Sequence, residues 1–479
     1  MLFSSIIFIV YFLPVFLGVY LLTGLRTAVL LTGSVIFYTW GEGGYVFLLA
    51  GLIILNFYLA QTLRTRKGRN RTMWLVVALI VDLGVLGTFK YANFVGQSIN
   101  SLAGFLVLPS HALRLPLGIS FFTFQLISYL VDVYRGDVKT ESNLWRFAAY
   151  ILMFPHLIAG PIVRYSQIRD ELASRSYDRR RLGLGLQYFI AGLCQKVLIA
   201  NTVAVLADHA FGLRVNNLDA SVAWLGILAY TLQIYFDFAG YSNMAIGLAF
   251  MLGFTFPKNF DYPYAARSIT DFWRRWHMSL SFWFRDYLYI PLGGNRAGRW
   301  KTIRNLLIVF FLTGLWHGAA WKFIVWGLFH GTFLLLERAW LGALLARFSW
   351  LVGWVYTIAV VMVGWVFFRA DNLTHGLLYL EHLFDPTQFY FLAVGTRVLL
   401  TPEVLAALLV GVALSFPLVP ALLDAAGKRR FSRSSEIREA RLDTLYVHPQ
   451  PVPLLIGGFL LCCALLSSTS LNPFLYFRF

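Results

Sequence analysis

The chain has 479 residues, of which 58% are hydrophobic and only 13% are charged. Soluble domains carry about 25% charged residues, so this composition excludes an ordinary water-soluble fold. The net charge of +17 would suit a nucleic-acid-binding protein, but many of the basic residues form short clusters between apolar runs. That arrangement is typical of the cytoplasmic loops of membrane proteins, and we expect no nucleic-acid partner.

Apolar runs recur along nearly the whole chain. Five examples are Leu2–Leu22, Tyr45–Leu63, Met73–Phe89, Leu351–Phe368 and Leu454–Leu466. Since a membrane-spanning helix needs about 20 mainly apolar residues, we predict an all-α polytopic protein with roughly 10 to 12 spans. The first run lacks a preceding basic segment and a cleavage site, so it is expected to be a retained span, not a signal peptide. No linker or repeat divides the sequence, which favours a single domain over residues 1–479.

Basic clusters predict how the chain is oriented. The cluster from Arg64 to Arg71 is expected in the cytoplasm, which places the N-terminus outside after three spans. Further basic segments predict additional cytoplasmic faces: Arg164–Arg181, Arg296–Arg304 and Lys428–Arg441. Only Leu454–Leu466 follows the last of these, so the C-terminus is also expected outside.

Two apolar segments differ from simple spans. Leu115–Val133 and Phe147–Pro161 contain Gly, Pro and polar side chains. Non-helical backbone at membrane depth is tolerated only inside protein or along a water-filled cavity. We therefore predict re-entrant or broken helices in both segments, lining a central tunnel.

The three cysteines, Cys194, Cys462 and Cys463, all lie in apolar segments. They predict neither a disulfide framework nor a metal site. No zinc-ligand spacing surrounds the histidines either, and we expect no bound metal.

A carboxylate lies within the apolar run from Gln233 to Gly247, at Asp237. A charge inside a membrane helix is costly and rarely faces lipid. The favoured interpretation is structural, with Asp237 pairing inside the helix bundle. The alternative is that Asp237 supports the function directly.

The next polar segment is Ser268–Arg296, which contains the motif WRRWH. A continuous helix would place Trp273, His277 and Ser281 on one face. Because Trp and Arg are common anchors at membrane interfaces, the segment is interpreted as an amphipathic helix at the cytoplasmic surface. Arg274 is expected elsewhere on that helix.

Neighbouring arginines, Arg274 and Arg275, suit an anionic ligand because arginine pairs bidentately with phosphate. Together with Trp273, they are candidates for binding an anionic group. The alternative is that all three residues serve only as interfacial anchors.

A histidine, His317, lies in the apolar segment Phe311–Gly331 between Gly314 and Gly318. Glycines allow another backbone or a substrate to approach closely. Histidine titrates near neutral pH and acts as a general base without a metal. On this evidence alone, a catalytic His317 and a hydrogen-bonded packing His317 are about equally plausible; His156, His209 and His330 illustrate the packing alternative.

These motifs together resemble the membrane-bound O-acyltransferase family. The matching pieces are WRRWH ending at His277, LWHG around His317, FDFAGYSNMAIG and FPHLIAGP. The resemblance is strongest to the bacterial branch that includes the membrane subunit of alginate O-acetylation, and it extends over essentially the whole chain. It implies a ring of helices around a thin, funnel-shaped centre.

The resemblance implies that His317 is catalytic and that His277 has a supporting role. The implied reaction transfers an acyl group, expected to be acetyl, from cytoplasmic acetyl-CoA to a hydroxyl, with no bound cofactor. His317 would deprotonate the hydroxyl, and a hydrogen-bond donor must stabilise the oxyanion. Trp316, Asn259 and Ser281 are candidates for that donor.

The C-terminal region, residues 452–479, resembles a small partner protein of teichoic acid D-alanylation fused to the acyltransferase. That partner has one membrane helix and an aromatic motif whose tyrosine is proposed to carry the acyl group. By this resemblance Tyr476 is a candidate relay. An outside SGNH-type transferase or esterase would then pass the group to a polysaccharide such as alginate. The alternative is that the aromatic tail is an interface anchor.

Two other functions stay open from the sequence. A transporter or flippase would also carry polar residues inside the membrane, although no inverted repeat is visible. An acyltransferase of the same family could use a different acceptor or group, for example D-alanine or a lipid.

Overall fold

The protein is helical throughout the part of the chain that its computed structural model describes. The described residues are 2–106, 113–175, 178–214, 217–296, 298–390, 392, 394–418, 421 and 452–468. They contain no β-strand, so the predicted all-α class is confirmed. By the density of its contacts the chain divides into two units: Met1–Phe189 with Met244–Pro257, and Ile190–Asn243 with Lys258–Phe479.

Besides the end of the long helix Ala220–Met251, the first unit contains eight complete α-helices among its described residues and the start of a ninth. They are α1 (Leu13–Leu22), α2 (Arg26–Glu42), α3 (Tyr45–Thr65), α4 (Gly68–Ala103), α5 (Ile119–Arg135), α6 (Leu144–Leu152), α7 (Phe154–Leu157), α8 (Tyr165–Ala173) and α9 (Arg179–Cys194). A π-helical turn, Ile7–Phe12, leads directly into α1.

The second unit contains the end of α9 and most of the remaining helices. They are α10 (Asn201–Gly212), α11 (Ala220–Met251), α12 (Ile269–Arg275), α13 (Met278–Phe284), α14 (Arg299–His317), α15 (Trp321–Leu336), α16 (Gly342–Leu345), α17 (Trp350–Arg369), α18 (Leu373–Phe384), α19 (Val394–Leu399), α20 (Pro402–Leu414) and α21 (Val452–Ser468). Short π-helical and 3₁₀ turns join several of them: Gln195–Ala200, Pro263–Ala265, Arg285–Tyr289, Glu337–Leu341 and Pro386–Gln388.

Both units are built from discontinuous segments, because α9 and α11 each run from one unit into the other. The units are therefore not domains placed end to end along the chain. The single domain over residues 1–479 stays a prediction.

Six helices of the described residues are long and apolar enough to cross a membrane. They are Tyr45–Thr65, Gly68–Ala103, Arg179–Gly212, Ala220–Met251, Trp321–Leu345 and Trp350–Arg369, and three shorter apolar helices are Ile7–Leu22, Pro402–Leu414 and Val452–Ser468. Each of the five apolar runs named above overlaps one of these nine helices. The chain is thus a multi-pass membrane protein. The larger count of 10 to 12 spans and the orientation of the termini stay predictions.

The two segments predicted to be re-entrant or broken behave differently. Leu115–Gly118 precede the helix α5, and Ile119–Val133 lie within it without a break and are almost all buried. The prediction of a broken helix is wrong here, because the polar side chains of this segment are accommodated by burial within an unbroken helix. A re-entrant course stays a prediction. Gly118 takes a left-handed conformation just before α5 and marks its start.

Phe147–Pro161 is a broken helix, as predicted. The helix α6 ends at Leu152, and α7 restarts at Phe154 with Pro155 in its first turn. The freed backbone N–H of Phe154 donates to Ser34 Oγ at 3.2 Å, so the break is satisfied by protein, as required at membrane depth. The central tunnel stays a prediction.

Candidate active site

The helices α14 and α15 form a tightly packed pair that places His317. A Cβ atom at Gly314 would lie 2.2 Å from the carbonyl oxygen of Phe323, and one at Gly327 would lie 2.2 Å from that of Phe310. Only glycine permits backbones to approach this closely, a common device between membrane helices. The expectation that Gly314 admits another backbone is confirmed.

The helix α14 ends at His317, where Gly318 turns the backbone into an extended conformation. A side chain at Gly318 would collide with the ring of Phe323. His317 is only 4% exposed and lies among aromatic rings. Its ring centroid is 4.9 Å from Trp326 and 5.3 Å from Phe368, both nearly perpendicular.

The segment containing His277 is not the single surface helix predicted above. The helix α12 ends at Arg275, α13 begins at Met278, and His277 between them has a left-handed backbone with φ of 43°. Trp273, Trp276 and His277 are buried, which contradicts an interfacial helix. A non-glycine residue rarely adopts this conformation, and nothing in helical periodicity indicates it.

His277 is held by Asn259, a residue that precedes α12. The Nδ1 of His277 lies 3.2 Å from Asn259 Oδ1, which also accepts hydrogen bonds from the backbone N–H and hydroxyl of Ser279. The Nδ2 of Asn259 donates to Ser242 Oγ at 3.1 Å. Asn259 thereby joins α11, which carries Ser242, to the WRRWH segment.

The two motif histidines meet at one indole ring. The ring of Trp316 lies 5.9 Å from that of His277 and 5.0 Å from that of His317. His277 also packs edge to face against Phe238 of α11, at 4.7 Å. Side chains from α11, the α12–α13 junction and α14 therefore converge, as expected of a site assembled from separate elements.

Asp237, also on α11, forms a buried ion pair with Lys196. Both side chains are almost fully buried. These contacts support the favoured structural interpretation of Asp237, since a buried charge requires a partner. Sequence reasoning missed Lys196, although a lone lysine in the apolar run QKVLIA was a signal for such a pair.

The other candidates for donor binding or oxyanion stabilisation differ in exposure and contacts. Arg274 is exposed, whereas Arg275 pairs with Asp271 at 2.9 Å and donates to the carbonyl oxygen of Asp261 at 3.3 Å. The hydroxyl of Ser281 donates to the backbone oxygen of Trp273. Of this group, Arg274 is the residue best placed to meet a soluble anionic ligand.

Two aromatic residues that contact His317 were not singled out from the sequence: Trp326 and Phe368. In a membrane protein such residues are equally suited to lipid, interface and core, so hydropathy does not distinguish them. Lys322 was missed too, and its Nζ donates to the carbonyl oxygen of Ala370 at 2.6 Å, next to Phe368. Tyr476 and the basic segment Lys428–Arg441 lie outside the described residues.

Comparison with known proteins identifies this architecture. The sequence profile described as "MBOAT, membrane-bound O-acyltransferase family" matches residues 16–377, which include His277 and His317 but not Tyr476. The chain belongs to the membrane-bound O-acyltransferase family. The resemblance drawn from the WRRWH and LWHG motifs is confirmed.

Several curated members of this family are similar to the chain over most of its length. The "Probable alginate O-acetylase" of Pseudomonas aeruginosa is 48% identical over 397 residues, which are 80% of this chain and 75% of the relative. The peptidoglycan O-acetyltransferase of Helicobacter pylori is 37% identical over 424 residues, 80% of this chain and 79% of the relative. The teichoic acid D-alanyltransferase of Lacticaseibacillus rhamnosus is 28% identical over 314 residues, which are 61% of this chain and 74% of the relative.

These relationships establish the class of reaction. The protein is a membrane-embedded O-acyltransferase of the membrane-bound O-acyltransferase family. The transporter or flippase considered from the sequence finds no support among these relatives. Among the described residues, no cluster of three or more potential metal ligands occurs.

Proposed function

We propose that the protein transfers an acetyl group from acetyl-CoA to a hydroxyl and thereby serves the O-acetylation of an extracellular or periplasmic polysaccharide such as alginate. The observation that carries this proposal is the 48% identity, over 80% of the chain, to a protein named as an alginate O-acetylase. The named D-alanyltransferase is much less similar, at 28%, which favours acetyl over D-alanyl transfer. Peptidoglycan is the second candidate acceptor, because its O-acetyltransferase is 37% identical.

In the proposed reaction the imidazole of His317 takes the proton of the acceptor hydroxyl. The hydroxyl oxygen attacks the thioester carbonyl, a new C–O bond forms, and the carbon–sulfur bond breaks. The imidazolium then returns its proton to the departing thiolate, so the base is regenerated. General-base catalysis of this kind contributes typically about 10²–10⁴-fold to the rate.

The surroundings of His317 suit this role. Burial among Trp326, Phe368 and Trp316 excludes water, which limits hydrolysis of the thioester and strengthens electrostatic interactions. Of the three oxyanion candidates, Trp316 is the one whose ring contacts both motif histidines. On that ground we assign the oxyanion contact to Trp316. We assign the positioning of His277 to Asn259, whose Oδ1 lies 3.2 Å from the Nδ1 of His277.

The proposed orientation of the protein in the membrane follows from the basic clusters. The donor enters from the cytoplasm, both termini lie outside, and the protein resides in the cytoplasmic (inner) membrane of a bacterium, surrounded by lipid. We further propose that Tyr476, which follows the apolar helix α21, receives the acyl group. An SGNH-type partner outside then moves it to the polysaccharide. Mass spectrometry of the C-terminal peptide without that partner should detect acetyl-Tyr476, and its consistent absence would contradict the relay.

The acceptor is tested in cells that lack the protein. The O-acetyl content of the exopolysaccharide should fall, and wild-type protein should restore it whereas His317→Ala should not. A fall confined to peptidoglycan would transfer support to the second candidate. Unchanged acetylation of both polymers would contradict the proposed function.

A further inference from the structure

His330 differs from His156 and His209, the other two histidines that illustrate the packing alternative. The Nε2 of His156 bonds to the carbonyl oxygen of Tyr150 at 2.8 Å, and that of His209 bonds to Thr396 Oγ1 at 3.1 Å. His330 is completely buried, yet neither ring nitrogen has a hydrogen-bond partner within the described chain. Since a neutral imidazole carries one donor and one acceptor, burying both without partners is unfavourable. Packing alone therefore does not explain why a histidine occupies this position.

Two tryptophans beside His330 share this property. The rings of Trp273 and Trp326 lie 5.4 Å and 5.3 Å from that of His330 and 5.8 Å from each other. Both indoles are buried, and neither Nε1 finds an acceptor among the described residues. By contrast, Trp365 nearby donates its N–H to Tyr264. We refer to Trp273, Trp326 and His330 as the indole–imidazole cluster.

The indole–imidazole cluster adjoins the proposed general base. Trp326 contacts the ring of His317 at 4.9 Å, as well as that of His330. Gly364 on α17 gives His330 its room, because a Cβ there would lie 2.7 Å from the Nε2 of His330. The cluster is therefore built from two helices, α12 and α15, and lies against α17 and the proposed base.

We infer that the indole–imidazole cluster binds a neutral carbonyl or amide oxygen of the acyl donor beside His317. Indole N–H groups only donate, so the ligand must supply an acceptor oxygen. A charged ligand would find no countercharge on these three residues and would be costly to desolvate. Neutral oxygens occur in the thioester carbonyl and in the amides of the donor's arm. This inference rests on the proposed acyl transfer from a thioester.

The test compares His330→Phe, which removes both nitrogens, with His330→Gln, which keeps hydrogen-bonding atoms. Losing one neutral hydrogen bond should raise the KM for acetyl-CoA about three- to tenfold, with kcat within about twofold. His330→Gln should recover much of the wild-type KM. Trp273→Phe and Trp326→Phe, which retain an aromatic ring, should show the same selective effect. The matched control, His209→Phe, should behave as wild type.

Binding measurements then identify the oxygen. Acetonyl-CoA keeps a carbonyl group but has a methylene between that carbonyl and the sulfur. Ethyl-CoA has no carbonyl at this end of the molecule. If the cluster binds the thioester carbonyl, His330→Phe weakens acetonyl-CoA alone; if it binds an amide of the arm, both analogues weaken. The inference would be overturned if the folded His330 and tryptophan variants bound both analogues as tightly as the wild type does. It would also be overturned by a loss in kcat without a change in KM or affinity. Either result would leave the proposed function intact. Failure of the wild type to transfer acetyl from acetyl-CoA would overturn both.

Discussion

His277 contacts the indole ring of Trp316 with ring centroids 5.9 Å apart, and Trp316 immediately precedes His317 in α14. Two motifs that are distant in the sequence thus share one aromatic residue. His277 does not reach this position by helical periodicity. It occupies a left-handed junction that Asn259 and Ser279 stabilise. The relationship is consistent with the proposal that His277 supports the site and His317 acts as the base.

Replacing Asn259 by Ala should weaken this junction. The change leaves the N–H of Ser279 and its hydroxyl without their shared acceptor, and each orphaned buried group costs about 1–3 kcal/mol. We expect a lower thermal midpoint in detergent together with reduced acyl transfer. Asn201→Ala is a matched control, because the Oδ1 of Asn201 accepts no hydrogen bond from the described residues. Equal stability and activity of both variants would contradict the assigned role of Asn259.

Variants of Asp237 and Lys196 distinguish a structural role of the Asp237 carboxylate from a catalytic one. Asp237→Ala leaves a buried cation and should destabilise the protein by about 3–5 kcal/mol. Removing both charges with Lys196→Ala in the same chain should recover part of that stability and, with it, acyl transfer. Thermal unfolding and activity of the two single variants and the double variant provide the measurement. A stable double variant without activity would instead assign Asp237 to the reaction.

Gly314 should tolerate no side chain. An added Cβ would meet the backbone oxygen of Phe323 at 2.2 Å, and overpacking of this kind typically costs about 1–3 kcal/mol. Because Gly314 lies one turn before His317, Gly314→Ala should also displace the base and lower kcat. Gly84→Ala in α4, where nothing lies within 4 Å of the new atom, should be neutral. Wild-type kinetics in Gly314→Ala would show that the close approach does not position His317.

Much of the architecture was predictable because membranes impose strong rules on sequence. Apolar runs marked α3, α4, α17 and α21, and Pro155 marked a true break. The same reasoning was wrong for Leu115–Val133, because a helix buried on all sides tolerates polar residues without breaking. It was also wrong for Ser268–Arg296. Helical periodicity assigns residues to faces only if the helix is continuous, and this segment is interrupted at His277.

The site was predictable only in part, for a related reason. His317 and His277 stood out as polar groups in recognisable motifs. Their packing partners Trp326 and Phe368 did not, because aromatic residues are frequent here and hydropathy gives each the same weight. His330 was grouped with His156 and His209 as a packing residue. Its ring nitrogens, unlike those of His156 and His209, form no hydrogen bond with the described residues, and sequence patterns do not report this difference.

The most direct test of the account is the single-turnover rate of acetyl transfer by His317→Ala, measured with labelled acetyl-CoA in reconstituted membranes. The rate should fall by about 10²–10⁴-fold, while the thermal midpoint and the affinity for acetonyl-CoA stay near those of the wild type. His209→Ala serves as the control and should retain full activity. A folded His317→Ala variant that transfers acetyl within about tenfold of the wild-type rate would contradict the assignment of His317 as the general base.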